Sequence, residues 1–283
     1  MSTTEYESAN MAVRFTSIDP RAIVARDAFV GSSCVIASGA VLCSGVTLES
    51  DVVVGPNAVF VEPGDAKDGR AAEVHRGVRI GANATIGPGI VLAVGSVVRP
   101  GAVVTRSVPP RAIVEGNPAT IVGYVGTVPG NSTVPSFSGA GGKQVEATAV
   151  RGVTLHHFPV VPDLRGNLTV GEFVKEIPFV PMRFFMVFGV PSREIRGEHA
   201  HRQCHQFLIC VRGSCAVVPD DGNGREEILL DAPNRGLYLP PMTWATQYKY
   251  SADALLLVFA SHHYDASDYI RTYNEYTTLI GQA

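Results

Sequence analysis

Apolar residues recur at every sixth position through much of the first half of the sequence. The positions are Val24, Val30, Ile36, Leu42, Leu48, Val54 and Phe60, and then, in a new phase, Ile80, Ile86, Leu92, Val98 and Val104. A helix would repeat its apolar face about every 3.6 residues and an ordinary strand about every two. A strict period of six instead predicts flat faces of two or three residues joined by tight corners, with three faces to a triangular coil.

This repeat resembles that of the hexapeptide-repeat acyltransferases, whose fold is a left-handed parallel β-helix. The stretch "VVTRSVPPRAIVEGNPATIVG", Val103 to Gly123, is similar to the segment that closes the helix in that family. The repeat is interrupted from Val61 to Gly77, which is too long for a corner, and in the family such a loop borders the acyl-donor cleft between subunits of a trimer. The resemblance implies an acetyltransferase-like left-handed β-helix over residues 1–126 and a trimer.

The second half of the sequence follows a different pattern. "TVPGNSTVPSFSGAGGK" is rich in Gly, Ser, Pro and Thr, and predicts a flexible linker over residues 127–145. Beyond it, short runs such as "RFFMVFGV", "QFLICVRGSCAVV" and "ALLLVFAS" predict strands of a β-sandwich or small barrel over residues 146–283. Only "DASDYIRTYNEYTTLI" predicts a helix, capped by Asp265 or Ser267. The expected fold class is therefore all-β.

Composition narrows the classes of partner. Lys and Arg total 23 against 26 Asp and Glu, a net charge of −3, which disfavours nucleic acid as a ligand. Five cysteines without a CxxC pair lie in apolar runs, so we expect buried thiols. The N-terminal residues contain no apolar signal core, and no run approaches the roughly 20 apolar residues that span a bilayer. We expect a cytoplasmic protein that acts on a small molecule, away from the membrane.

Three histidines, His199, His201 and His205, lie within "RGEHAHRQCHQF". Residues two apart on a strand point the same way, so His199 and His201 share a face, and His205 joins them only if the strand has no bulge. Metal-binding cupins add a Glu and a later His, but here Gln206 holds the Glu position and Met242–Tyr248 contains no His. A metal site and a purely structural role stay open, and we favour proton transfer by imidazole.

Four stretches, "DLRGNLTV", "RGEHAHRQCHQFLICVRGS", "LDAPNRGLYLPPMTWATQYKYSADALLLVFAS" and "YDASDYIRTYNEY", are similar to the dTDP-sugar 3,4-ketoisomerases of the cupin superfamily. A hexapeptide-repeat half ahead of such a cupin resembles the bifunctional ketoisomerase/N-acetyltransferases. The resemblance implies isomerisation of dTDP-4-keto-6-deoxyglucose to a 3-keto sugar through an enediol, without metal or other cofactor. It places the catalytic pair on His199, expected to be the base, and His201, expected to be its relay or acid.

Further residues are candidates for binding the sugar nucleotide. Arginines suit diphosphate and enolate oxygens because a guanidinium donates two parallel hydrogen bonds, although each could instead be a surface residue. Aromatic rings could stack on the thymine or sugar, although such rings are more often core. The predicted set is Arg165, Arg183, Arg196, Gln206, Tyr238 and Trp244. Phe184, Phe185 and Phe188 occupy a predicted strand where the family often has tyrosine, so no hydroxyl donor is expected from it.

The first half offers fewer candidate residues. His75 could deprotonate the acceptor amine and Asn83 could orient it, with acetyl-CoA as cosubstrate and a dTDP-3-aminosugar as acceptor. The segment "FVEPGDAKDGR" matches the acetyltransferases poorly, so the β-helix could instead be a trimerising scaffold. The alternative for the whole chain is a non-catalytic trimeric β-helix that carries a sugar-nucleotide-binding cupin. We expect a homotrimer, or a hexamer if the cupins also pair.

Overall fold

A computed structural model describes residues 15–64, 69–129, 144–164, 166–191 and 194–281. The chain divides into two units, Met1–Val125 and Gly126–Ala283. In the described residues of both units the regular secondary structure is nearly all β-strand, and the expected all-β fold class is confirmed. The described residues contain no helix long and apolar enough to span a bilayer.

The first unit is built from two-residue strands that stack in three parallel sheets. The sheets have the orders β1-β4-β7-β10-β13, β2-β5-β8-β11-β14 and β3-β6-β9-β12, so each strand pairs with the third one along the chain. The strands are β1 Ser17–Ile18, β2 Ile23–Val24, β3 Phe29–Val30, β4 Val35–Ile36, β5 Val41–Leu42, β6 Thr47–Leu48, β7 Val53–Val54, β8 Val59–Phe60, β9 Glu73–Val74, β10 Arg79–Ile80, β11 Thr85–Ile86, β12 Val91–Leu92, β13 Val97–Val98 and β14 Val103–Val104.

The sixth-position residues form the core of this β-helix. From β4 onward the second residue of every strand is buried, including Ile36, Leu48 and Phe60, while the first points outward. The unit ends in β15 (Ala112–Glu115), which pairs parallel with β13, and β16 (Thr120–Tyr124), which turns back antiparallel. The "GNPA" segment therefore lies in the turn that closes the β-helix.

The interruption of the repeat is shorter than predicted. Strand β9 lies inside the predicted interruption Val61 to Gly77, and Val74 is buried between Leu48 and Leu92 of the neighbouring coils. Val74 precedes Ile80 by six positions, so it already keeps the later phase of the repeat. The excursion occupies Val61–Ala72, of which residues 65–68 lie outside the described residues.

The second unit contains two facing six-stranded sheets, the architecture of a cupin. Their orders are β17-β26-β25-β28-β23-β30 and β18-β19-β27-β24-β29-β22, and β20 with β21 forms a separate hairpin. The strands are β17 Thr127–Pro129, β18 Gln144–Ala147, β19 Thr154–His157, β20 Val160–Asp163, β21 Gly166–Thr169, β22 Arg183–Phe188, β23 Arg196–His201, β24 Gln206–Arg212, β25 Cys215–Asp220, β26 Arg225–Leu230, β27 Arg235–Leu239, β28 Trp244–Tyr248, β29 Leu255–Ala260 and β30 Tyr269–Ile270, with a 3-10 turn at Ala266–Asp268 and helix α1 at Tyr273–Leu279.

The core of the barrel lies between the two sheets. It includes Leu208, Val217, Leu237, Leu256 and Val258, which are at most 3% exposed. Burial of such side chains contributes roughly 1.5–3 kcal/mol each. All five cysteines of the chain are free and buried, as predicted.

The predicted linker, residues 127–145, begins and ends in strands. Thr127–Pro129 pairs parallel with β26, and Gln144–Ala147 pairs antiparallel with β19. The Gly- and Pro-rich composition was therefore a poor guide at both ends, because open sheet edges were available to pair with them. Residues 130–143 lie outside the described residues.

The segment "DASDYIRTYNEYTTLI" contains helix, as predicted, but not as one continuous helix. Asp265 does act as a cap, since its side chain accepts a hydrogen bond from the Ser267 amide, but it caps only the 3-10 turn. Strand β30 follows, because Tyr269 and Ile270 pair with β23 and Ile270 is fully buried. Helix α1 then starts afresh, with Thr272 as its N-cap.

Helix α1 is fastened to the barrel by two tyrosines. The Tyr273 hydroxyl donates to Asp220 Oδ2 at 2.7 Å, and the Tyr276 hydroxyl donates to the Asp220 carbonyl at 2.7 Å. Arg225 forms an ion pair with the same carboxylate at 2.6 Å. These buried contacts fix the end of the segment that carries the 3-10 turn and β30.

Candidate active site

The two histidines of the "HAH" stretch face the interior of the barrel. His199 lies opposite Ala245, a residue of the barrel core, and His201 lies opposite Tyr269. Their rings meet edge to face with centroids 5.0 Å apart. The strand spacing therefore brings the predicted catalytic pair together on one face.

A bulge in β23 precedes the pair and depends on Gly197. The register with β28 shifts between Gly197 and His199, and both Gly197 and Glu198 have left-handed backbone angles, with φ of 80° and 52°. A Cβ at Gly197 would lie 2.6 Å from the Ala245 carbonyl oxygen, so only glycine fits. Gly197 therefore permits the bulge that points His199 towards the interior of the barrel.

His201 is the more fully engaged of the two imidazoles. Its Nδ1–H donates to Asp268 Oδ2 at 2.7 Å, and its Nε2 accepts from the Gln206 amide at 3.0 Å. Burial lowers the pKa of His201 to about 4, although the hydrogen bond to Asp268 acts in the opposite direction. The ring is therefore neutral at pH 7, with its lone pair on Nε2.

Asp268 is held as a carboxylate. Burial raises the pKa of Asp268, but the hydrogen bonds from His201 and from the Gln203 amide outweigh it and leave the pKa below its usual value. An ionised carboxylate on Nδ1 fixes the tautomer of His201 and stabilises the imidazolium that forms when Nε2 accepts a proton.

His199 has a simpler environment. Its Nδ1–H donates to the Gly197 carbonyl at 2.9 Å, which again leaves the lone pair on Nε2. Burial lowers the pKa of His199, and the charge of Arg271 acts in the same direction. Both imidazoles of the pair are thus neutral proton acceptors at pH 7.

Tyr269 lies at the centre of the cluster. Its ring centroid is 4.3 Å from that of His201 and 5.0 Å from that of His199. The Arg271 guanidinium lies 4.5 Å from the same ring, and Arg183 Nη2 donates to the Tyr269 hydroxyl at 3.3 Å. Because Arg183 comes from β22 and Tyr269 from β30, this contact joins the two sheets across the site.

Two of the predicted binding residues lie in the site. Gln206 is buried beside His201, and Arg183 lies between the rings of Phe185 and Tyr264 with its charge close enough to lower the pKa of His201. The buried Nε of Arg183 has no hydrogen-bond partner within the described residues. Arg183 therefore has donor capacity left for an anionic oxygen.

Tyr238 and His205 point to the other side of the sheet. Tyr238 pairs with Phe207, whose side chain packs outside the barrel, whereas its neighbour Leu239 pairs with the inward Gln206. The Tyr238 hydroxyl and His205 Nδ1 lie 2.7 Å apart, and their rings stack. Because adjacent strand residues alternate between faces, Tyr238 lies on the opposite face of its sheet from Gln206, and its predicted stacking on the substrate stays a prediction.

Trp244 is a core residue. It is 7% exposed and packs edge-on against Tyr273 and beside Tyr276. The structure places the ring against helix α1 in the core, and its predicted role in stacking on the sugar nucleotide stays a prediction.

Arg196 and Arg165 are not part of the described site. Arg196 is exposed at the far end of β23, opposite Gln247, and no described contact joins it to His199 or His201. Arg165 lies outside the described residues.

Sequence reasoning missed Asp268, Tyr269 and Arg271. They come from the segment predicted to be helical, in which residues 268 and 269 would have pointed in diverging directions and could not both meet the histidines. The sequence signal for these residues was the stretch "YDASDYIRTYNEY", one of the four that are similar to the ketoisomerase family.

One group of potential metal ligands overlaps the site. Ligand atoms of His201, Cys204 and Asp268 all lie within 4.8 Å of one another. Thiolate, imidazole and carboxylate together suit a zinc ion. In the present arrangement, however, the His201 and Asp268 atoms are hydrogen-bonded to each other.

The two candidate residues of the first unit lie at different corners of the β-helix. His75 follows β9, where its amide donates to the Leu92 carbonyl, and Asn83 lies between β10 and β11. Asn83 has a φ of 56°, as does Asn57 at another corner. Because asparagine tolerates this left-handed conformation, the turn alone accounts for its presence. Within one chain, the structure does not bring His75 and Asn83 together.

Comparison with known proteins identifies the class of the barrel. Residues 151–281 match the family described as FdtA: WxcM-like, C-terminal. The chain is 41% identical over 126 residues to the TDP-4-oxo-6-deoxy-alpha-D-glucose-3,4-oxoisomerase of Aneurinibacillus thermoaerophilus, covering 44% of this chain and 91% of that protein. The chain belongs to the WxcM-like, C-terminal (FdtA) family through its second unit.

Solved structures similar to the chain include two ketoisomerases. A 3,4-ketoisomerase from Helicobacter canadensis is 36% identical, with a TM-score of 0.45, over 46% of this chain and 97% of that chain. A mutant of the 3,4-ketoisomerase QdtA from Thermoanaerobacterium thermosaccharolyticum, solved with TDP-4-keto-6-deoxyglucose, is 34% identical, with a TM-score of 0.45, over 46% of this chain and 95% of that chain.

Proposed function

We propose that the second unit is a 3,4-ketoisomerase that acts on dTDP-4-keto-6-deoxyglucose and needs no metal. The observation that carries this proposal is the His201–Asp268 pair, which lies edge to face with His199 inside the barrel. The curated relative is named as a 3,4-oxoisomerase of the TDP-4-oxo-6-deoxy sugar, which supports the choice of reaction.

Moving the carbonyl from C4 to C3 begins with loss of the C3 proton. A base suited to this step is neutral before the reaction and stabilised as a cation after it. His201 meets both conditions, because burial keeps it neutral and the Asp268 carboxylate lies on its Nδ1. We therefore assign His201 as the base and His199 as the relay, the reverse of the order expected from the sequence.

The enolate that forms needs positive charge near its oxygens. Arg183 presents a guanidinium beside Tyr269 with an unpaired buried Nε, and no described carboxylate forms an ion pair with it. A fixed cation in a site of low dielectric stabilises developing negative charge more strongly than water does. In this role the Arg183 guanidinium binds an oxygen of the sugar rather than the diphosphate.

Exchange of the C3 proton with solvent tests the proposal. The protein is incubated with dTDP-4-keto-6-deoxyglucose in heavy water, and the C3 proton signal is followed by NMR together with the appearance of a 3-keto product. We expect both changes, and neither with Asp268→Asn and His201→Asn combined. Binding of the nucleotide without exchange or product would instead favour the non-catalytic alternative, a sugar-nucleotide-binding cupin.

For the first unit we propose acetyl transfer from acetyl-CoA to a dTDP-3-aminosugar. The proposal is supported by the β-helix fold and by His75, which is half-buried directly after the excursion. Release of CoA in the presence of a dTDP-3-amino-3,6-dideoxyhexose, lost in His75→Ala, is the expected result. Absence of release from the intact protein would leave the β-helix as a scaffold.

We also propose that the β-helix forms a homotrimer and that the barrels pair to give a hexamer. Outward residues Ile23 and Val59 are exposed on one sheet of the β-helix, and Phe184, Met186 and Phe188 are exposed on edge strand β22. Light scattering should give the mass of six chains, reduced to three in Phe188→Glu. A monomer at micromolar concentration would contradict both contacts.

A further inference from the structure

The site holds two neutral imidazoles, and neither can donate a proton from an imidazolium before the reaction starts. The lone pair of each lies on Nε2, because each Nδ1–H is engaged, with Gly197 in one case and with Asp268 in the other. Isomerisation nevertheless requires that oxygen O4 of the sugar gain a proton and that O3 lose one. A group other than the histidine pair has to exchange these hydroxyl protons.

Tyr269 is placed for this exchange. Its position directly opposite His201 in the β23–β30 pair puts the phenol against both imidazoles, with centroids at 4.3 and 5.0 Å. The hydroxyl accepts a hydrogen bond from Arg183 Nη2, and within the described residues no acceptor takes the hydroxyl's own proton. That proton is free to be donated to a substrate oxygen.

Two cations lie beside the phenol. Arg183 donates to its oxygen at 3.3 Å, and the Arg271 guanidinium lies 4.5 Å from the ring centroid. Positive charge next to a phenol stabilises the phenolate that remains after the proton has left. Tyr269 is thus set up to give a proton and to take one back.

We propose that Tyr269 is a catalytic residue that carries a proton between O4 and O3 of the sugar. The inference rests on the proposed ketoisomerase function and extends it to a further residue. It also supplies the hydroxyl donor that the phenylalanines of β22 cannot provide.

The steps balance without an external reagent. His201 Nε2, released from the Gln206 amide when substrate binds, takes the C3 proton. The C3–C4 double bond forms, and O4 takes the Tyr269 proton to give the enediol and a phenolate. The phenolate then removes the proton from the O3 hydroxyl as C3=O forms, and C4 takes a proton from the imidazole pair. At the end the tyrosine and both histidines have regained their starting protonation states.

Tyr269→Phe tests the role, with Tyr264→Phe as the matched control. Tyr264 also contacts Arg183 and the Tyr269 ring, but it is 64% exposed and its hydroxyl has no part in the scheme. We expect Tyr269→Phe to lower kcat by about 10²–10³-fold, with KM and dTDP affinity within about threefold of wild type. Tyr264→Phe should keep kcat within about threefold.

A second variant separates proton transfer from packing. Arg183→Met should lower kcat without weakening dTDP binding, and adding it to Tyr269→Phe should lower kcat by less than the product of the two single effects, because both act on one phenolate. Should Tyr269→Phe fail to fold, fluorotyrosine at position 269 decides, because it keeps the ring but makes the phenol more acidic. It should shift the pH profile of kcat, and an unchanged profile would overturn the proposal.

The outcomes distinguish this inference from the function on which it rests. Wild-type protein that neither exchanges the C3 proton nor forms product contradicts the ketoisomerase proposal itself. Active wild-type protein together with Tyr269→Phe of similar kcat, or with Tyr269→Phe impaired only in dTDP binding, overturns the role of Tyr269 and leaves the ketoisomerase proposal intact.

Discussion

Both units are built from β-strands, but the strands that pair lie close together in the sequence of the β-helix and far apart in the sequence of the barrel. In the β-helix, strands β1 to β14 pair with the third strand along the chain, and equivalent residues stack on one another. In the barrel, β23 pairs with β28 and β30, which come much later in the sequence. A local repeat makes the positions of the β-helix nearly interchangeable, whereas long-range pairing makes particular positions of the barrel unique.

This difference predicts where a single substitution acts. A change at an inward position of the β-helix removes one of many equivalent packing contacts and should lower stability without affecting isomerase activity. A change at the junction of β23 and β30 removes a group that no neighbouring residue duplicates and should affect activity first.

The largest effect is expected for His201→Asn. Loss of the base should reduce kcat on the order of 10²–10⁴-fold, because asparagine cannot accept the C3 proton. Initial rates of 3-keto product formation, with dTDP binding by calorimetry as the control, measure the effect. His199→Asn should be less impaired, and the opposite ranking would restore the order of roles expected from the sequence.

Phe60→Ala should destabilise the β-helix without changing isomerase activity. Phe60 is 2% exposed in the stack of inward side chains, and loss of such a ring costs about 3–5 kcal/mol of unfolding free energy. Chemical denaturation followed by circular dichroism should show an earlier transition, while isomerase kcat stays unchanged. Phe207→Ala, which removes an equally buried ring next to Gln206, is the matched change in the barrel and should lower activity as well. Equal loss of isomerase activity in Phe60→Ala and Phe207→Ala would contradict the expectation that only changes in the barrel affect isomerisation.

Acid should destabilise the barrel through His201. Its folded pKa of about 4 lies below the ordinary value of 6.5, so between these pH values the unfolded chain binds a proton that the folded chain does not. Protonation of the unfolded chain therefore lowers the free energy of unfolding by up to about 3 kcal/mol as pH falls from 6.5 towards 4, and above pH 6.5 this group adds no pH dependence. Denaturation at several pH values should show this slope in the wild type and a flatter one in His201→Asn. Equal slopes would show that another group titrates.

Chelation should have the smallest effect. A metal held by His201, Cys204 and Asp268 would have to break the hydrogen bond between His201 Nδ1 and Asp268, on which the proposed base depends. Isomerase activity should remain within about twofold of its starting value after exhaustive treatment with a chelator. Activity restored by zinc in the wild type but not in Cys204→Ser would instead show that the group formed with Cys204 holds a functional metal.

The β-helix could be predicted because the same six-residue pattern of apolar positions recurs along the unit. Leu48 and Ile86 occupy the inward positions expected from the six-residue period, and the error at Val74 concerned only where the second phase begins. Each coil provides independent evidence for the next, so a single misplaced residue changes the boundary and leaves the fold prediction intact.

The site was predictable only as far as strand periodicity extends. The alternation of residues along β23 predicted that His199 and His201 share a face. For β27 the sequence offered no residue of known orientation, so the face occupied by Tyr238 could not be predicted. Asp268 and Tyr269 reach the histidines through a pairing that spans 67 positions in the case of His201 and Asp268. Their local propensity favoured a helix, and the vacant edge of β23 overrode it.

That long-range pairing has a consequence for biosynthesis. A ribosome releases the β-helix coil by coil, and each coil can stack as it emerges because its partners have already been made. The barrel emerges with an open edge at β23, and the site stays incomplete until the segment through Tyr276 has left the ribosome and docked on Asp220. The His201–Asp268 pair therefore cannot form in the nascent chain before that docking, and the edge of β23 stays exposed until then.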